Sequence, residues 1–173
     1  MYLNSVFFKF NDNQINYRFI GSFYNDNITF NNECIDCEIV TGKLTDFTIK
    51  TGFEKVLSYS TIQPYFGFDI GFRKNRFKGT TLDAQVSTVS APYDIIAEKN
   101  GGLLSPVVGL NLNLVNHFTI GLETSMEVLF NYERQEKTTK GDSRMQSFKK
   151  DNNWEFLLRP VAVSLQYNFG STD

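Results

Sequence analysis

Histidine is nearly absent from this chain: His117 is the only one among 173 residues, beside two cysteines, Cys34 and Cys37. A zinc site needs about four ligands, and the C-x-x-C pair stands far in sequence from that histidine. A thioredoxin-like redox role asks for a βαβ setting that the surrounding ECIDCE segment lacks. The expectation is a local Cys34–Cys37 disulfide in an oxidising compartment, with no metal and no cofactor. No G-x-S-x-G nucleophile motif is present. Long apolar runs are missing as well. Nothing approaches the ~18 residues of a membrane helix, which excludes a helical membrane protein. The net charge of -2, without a basic run, leaves no electrostatic footprint for nucleic acid. Residues 1–20 show neither the basic start nor the apolar core and small-residue cleavage site of a secretory signal.

What the chain does have is aromatic residues, 15% of it, with 17 Phe and 8 Tyr. They recur with a period of two. Segment 62–73, IQPYFGFDIGFR, carries Ile62, Pro64, Phe66, Phe68, Ile70 and Phe72 on one parity and Gln63, Tyr65, Gly67, Asp69, Gly71 and Arg73 on the other. That is a β-strand with one apolar and one polar face. At about 3.3 Å per residue and a tilt near 40°, it covers roughly 30 Å of height, more than a soluble sheet strand of ~5–6 residues needs and about what a bilayer needs.

Six other segments alternate in the same way: 5–10, 15–24, 45–55, 103–114, 117–132 and 154–169. In the last of these the apolar parity switches. Trp154, Phe156 and Leu158 are even, whereas Val161, Val163, Leu165, Tyr167 and Phe169 are odd. A one-residue slip inverts every side chain, so a β-bulge at Arg159-Pro160 is predicted, where proline has no N–H to lose. Short connections at 11–13, 57–61 and 115–116 alternate with long polar ones at 25–44, 74–102 and 133–153. Short turns at one rim and long loops at the other are the asymmetry of outer-membrane barrels. The fold expected is all-β, an antiparallel up-and-down transmembrane β-barrel. Such barrels have even strand counts, and an open edge in lipid leaves backbone groups unpaired. The barrel is therefore expected to have eight strands when complete, seven of them visible here and the N-terminal one missing, with residues 1–173 forming one domain.

The stretches VAVSLQYNF, IQPYFGFDIGF and LSPVVGLNLNLVNHFTIGLETS resemble small OmpA/OmpX-type sequences of the outer membrane protein β-barrel domain. The likeness covers most of the chain from Asn16 on. It implies a bacterial outer-membrane location, with lipid and lipopolysaccharide around the barrel. It also implies a C-terminal strand, marked by Leu165, Tyr167 and Phe169, that the barrel-insertion machinery reads. Here Phe169 is followed by Gly170-Ser171-Thr172-Asp173, whereas the family's final aromatic is usually terminal.

The inward parity collects Arg18, Lys50, Arg73 and Arg159 against Glu54, Asp69, Glu123, Glu127 and Glu155. Nearly balanced charges fit an eight-stranded lumen, which is just wide enough to be filled by side chains, and buried ions must be paired to be tolerated. A plugged barrel with a structural or surface-interaction role is expected; a narrow channel and a soluble lipocalin-like carrier with its apolar face inward are the alternatives. Catalysis is not expected. Glu123 and Glu127 lie two inward steps apart, roughly 13 Å, too far for an acid/base dyad, and His117 sits beside a short turn. Tyr24, Tyr132 and Trp154 at one rim, and Tyr59, Tyr65 and Tyr167 at the other, are expected to form aromatic girdles. The charged segment 133–153 is read as a solvated loop facing lipopolysaccharide, its surface partner unknown.

Overall fold

The computed structural model describes residues 5–12, 15–31, 39–82, 93–115, 117–139 and 146–169. Cys34 and Cys37, and with them the expected disulfide, lie outside the described residues.

Eight strands follow one another: β1 Ser5–Asp12, β2 Ile15–Asn31, β3 Ile39–Val56, β4 Ile62–Leu82, β5 Tyr93–Val115, β6 Phe118–Thr139, β7 Gln146–Leu158 and β8 Ala162–Tyr167. Each pairs antiparallel with the next from β1 to β7, while β8 pairs with β6. β7 and β8 therefore share one row of the sheet. The eight strands fill seven rows, corresponding to the seven alternating segments of the sequence.

The predicted bulge is where the parity switch puts it. Leu158 lies opposite Met126, and Ala162 lies opposite Glu123. Three residues, Arg159, Pro160 and Val161, thus face two on β6, Thr124 and Ser125. The Arg159 amide donates to the Ser125 carbonyl at 2.8 Å, and the Thr124 hydroxyl donates to the Arg159 carbonyl at 2.9 Å. The extra residue flips the parity, so that Phe156 and Leu158 above it and Val163 and Leu165 below it all stand exposed.

The strands run further than hydropathy alone suggests. Most of the stretches read as irregular at 25–44, 74–102 and 133–153 continue the ladder, with β4 reaching Leu82 and β5 starting at Tyr93. Backbone pairing carries on past the apolar zone, because a strand with polar residues on both faces still satisfies its N–H and C=O groups. It merely loses the period-two hydropathy that announces it.

The distribution of side chains is inverted relative to a water-soluble domain. Adjacent residues on β4 make the point: Asp69 is 1% exposed and Ile70 is 51% exposed. Phe66, Phe68 and Phe72 are exposed on the same parity as Ile70, while Tyr65 and Asp69 are buried on the other. Arg18, Glu54 and Glu127 are buried too. The sheet is rolled tightly enough for its polar face to meet itself, since Arg18 on β2 reaches Glu123 on β6 at 2.7 Å. It is not closed. Among the described residues β1 pairs only with β2, and the β7–β8 row only with β6.

Candidate functional site: a charge network on the inner face

Register builds the site. Lys9, Arg18, Gly52, Asp69 and Ser105 fall in one row across β1 to β5. Every one of them points to the inner face, because side chains alternate and rows keep parity. At the centre of that row a side chain is missing: a Cβ on Gly52 would lie 2.3 Å from an Asp69 carboxylate oxygen. The gap lets the Asp69 carboxylate approach Arg18, whose Nε lies 3.1 Å from Asp69 Oδ1. Arg18 also forks onto Glu123, at 2.8 and 2.7 Å, and touches Glu54 at 3.2 Å. Glu54 receives Lys9 Nζ and Asn16 Nδ2, each at 2.9 Å. A second glycine completes this cluster. Gly109 leaves room for the Tyr65 ring, which delivers its hydroxyl to Glu123 at 2.8 Å.

A second cluster sits higher on the same face and has the opposite balance. Glu127, fully buried, is met by Lys50, by Arg159 Nε at 3.1 Å and by Arg73 at 3.9 Å. Arg73 also holds Asp46 through Nε at 2.9 Å, and Asn75 donates to the same carboxylate at 2.8 Å. The first cluster carries one surplus negative charge and the second one surplus positive charge. Together Lys9, Arg18, Lys50, Arg73 and Arg159 face Asp46, Glu54, Asp69, Glu123 and Glu127. The balance of five against five is what burial of ions demands.

Above both clusters, Lys99 bridges Glu155 at 2.7 Å and Glu133 at 3.5 Å. The hydrogen bond to Glu155 is the main reason the Lys99 ammonium titrates above its ordinary value; burial pulls the other way. Between this pair and Arg73 lies a cavity of about 220 Å³, lined also by Asn75, Asn131 and Leu129.

All nine charged residues singled out from parity stand in ion pairs on this face, and Glu155 belongs to the outer pair rather than to the two deeper clusters. Glu123 and Glu127 fall in different clusters, each held by its own cations. Lys9 and Asp46 were missed, although Asp46 shares the parity of Lys50 and Glu54 on β3 and Lys9 that of Ser5 and Asn11 on β1. Tyr65, assigned to an aromatic girdle, is instead buried at 3% in the network. Tyr24 shares the inner parity of Ser22 and is half-buried. Tyr132 and Trp154 are exposed on the outer face, as are Leu165, Tyr167 and Phe169 at the far end of the sheet. There Tyr167 packs edge-on against Phe118 and Phe169, and the His117 ring stacks on it at 5.9 Å. Among the described residues no group of His, Cys, Asp or Glu side chains converges as a metal site.

The fold and site define a class: an all-β protein whose antiparallel, rolled sheet has an ionic inside and an aromatic outside. The chain matches no family model, no curated protein and no solved structure.

Proposed function

We propose that the protein is a small integral outer-membrane β-barrel whose lumen is filled by the charge network, serving a structural or surface-interaction role. The observation that carries this reading is the inversion of polarity. Phe8, Phe19, Ile70, Leu104, Val128 and Phe156 occupy one continuous outward row from β1 to β7, with apolar rows above and below it and only Thr51 interrupting. An aromatic belt of this extent is far larger than the apolar patches that soluble proteins leave in water. Lipid acyl chains satisfy it. A lipocalin-like carrier needs the opposite facing.

Closure needs one more row. Seven rows in antiparallel succession leave β1 and the β7–β8 row running the same way, so they cannot join each other antiparallel. A strand of about 9–11 residues running upward from the short-turn rim fits between them.

Migration in detergent gels tests the proposal. A folded barrel runs at a different position before and after boiling. A single band that does not move on boiling rules it out.

A further inference from the structure

The outer face changes character just above the apolar rows. On β4 the outward series runs Phe68, Ile70 and Phe72, then Lys74, Arg76 and Lys78. On β3 it passes from Phe47 through Thr45 to Lys43, and on β7 from Trp154 through Asn152 to Lys150. On β6 it passes from Phe130 and Tyr132 to Arg134.

The acids of this zone are already engaged. Glu98 is held by Arg76 at 2.8 Å, Glu136 lies 3.6 Å from Arg134, and Asp94 accepts the Thr80 hydroxyl at 2.8 Å. Lys43, Lys74, Lys78 and Lys150 have no carboxylate partner among the described residues. Two pairs of like charges even stand directly opposite each other: Lys43 across from Lys78, and Arg134 across from Lys150. Facing cations of this kind destabilise a sheet in water. A phosphate oxygen between them converts the repulsion into charge-assisted hydrogen bonds. The second pair is also braced by an aromatic ring, since Phe148 lies under both Arg134, at 4.9 Å, and Lys150, at 5.0 Å.

We infer that Lys43, Lys74, Lys78, Arg134 and Lys150 form a basic collar that binds the phosphate groups of anionic lipids in the leaflet at the long-loop rim. The collar rests on the membrane reading above. Its height supports the assignment: Lys74 is the next outward residue after Phe72, about 6.6 Å along the strand, where headgroup phosphates begin once the apolar belt has met the acyl chains. Its uncompensated charge is positive on both flanks of the sheet, which selects lipid phosphate over a cationic or neutral surface.

The test uses the full chain folded into phosphatidylcholine vesicles containing diphosphoryl lipid A, extracted in mild detergent, with retained lipid counted by native mass spectrometry. The wild type should keep diphosphoryl lipid A in preference to phosphatidylcholine and to the dephosphorylated lipid. Replacing all four lysines (Lys43→Gln, Lys74→Gln, Lys78→Gln, Lys150→Gln) should weaken that preference at least about tenfold. The corresponding Lys→Arg variant should retain it. The heat-shifted band, recorded for each variant, separates the two levels of the argument. A Gln variant that shifts normally yet retains lipid A like the wild type overturns the collar alone, and so does equal retention of the dephosphorylated lipid. A wild type that neither inserts nor shifts overturns the membrane reading and the collar with it.

Discussion

Arg18 and Glu123 stand 105 residues apart in sequence and meet in a two-pronged ion pair, Nη1 to Oε2 at 2.8 Å and Nη2 to Oε1 at 2.7 Å. Because Arg18 lies on β2 and Glu123 on β6, with three strands between them in the sheet, the pair ties one side of the roll to the other. Geometry of this quality is where a buried ion pair is strongest.

Removing one partner should therefore cost much more than removing both. Arg18→Met removes the cation shared by Glu54, Asp69 and Glu123, leaving the buried Asp69 without its ion-pair partner, and is expected to lose about 3–5 kcal/mol. Adding Glu123→Gln to it should recover part of that loss. Urea titration of the folded band for the wild type, Arg18→Met, Glu123→Gln and the double variant closes the cycle and gives the coupling between the sites.

Gly109 is irreplaceable for a steric reason. A Cβ there would lie 2.4 Å from the Tyr65 ring and 2.6 Å from the Leu122 carbonyl, so Gly109→Ala must displace the ring that reaches Glu123. The expected loss is about 1–3 kcal/mol, read from the same titration. The control is Gly102→Ala, whose Cβ meets nothing within 4 Å; it should leave the midpoint almost unmoved.

A charge on the belt separates lipid from water most simply. Ile70→Arg should destabilise the vesicle-inserted protein by about 1–3 kcal/mol, between the cost at a bilayer midplane and that at its interface. Lys74→Ala, only four residues along the same face, should change it by a few tenths at most.

Lys99 lies above the belt and predicts a pH window. Its folded-state value is raised above the ordinary one near 10.5 by Glu155, so its contribution to stability is fully present below that value. It disappears as the pH rises through the folded-state value. Wild type and Lys99→Met should therefore differ by a constant amount through neutral pH and converge in strong alkali, as followed by unfolding midpoints at stepped pH.

The apolar parity of segment 62–73 was legible because every second residue is large and apolar. The break at Pro160 could be read for the same reason: two unambiguous half-strands disagreed by one. The upper halves of β4 and β5 were not legible. Lys74 to Lys78 place cations on the outer parity and Asn75 and Phe77 on the inner, so neither face is consistently greasy. Within the network, the charges that were found alternate with apolar neighbours. Lys9 was obscured by Phe7, which shares its parity and breaks the pattern of β1. Asp46 sits where β3 leaves the apolar zone. Pairing across strands, which joins Arg18 to Glu123, is a property of how far the sheet rolls, and no local pattern encodes it.

Trp154 offers the most direct measurement, because it is the only tryptophan in the chain and stands 63% exposed on the outer face at the upper edge of the belt. In vesicles of phosphatidylcholine brominated along the acyl chain, the account predicts strong quenching of its emission. Bromines placed near the headgroup should quench more than those near the chain end, and aqueous iodide should do little. Emission untouched by the bromolipids but quenched by iodide would place this face in water, and the central claim would fall.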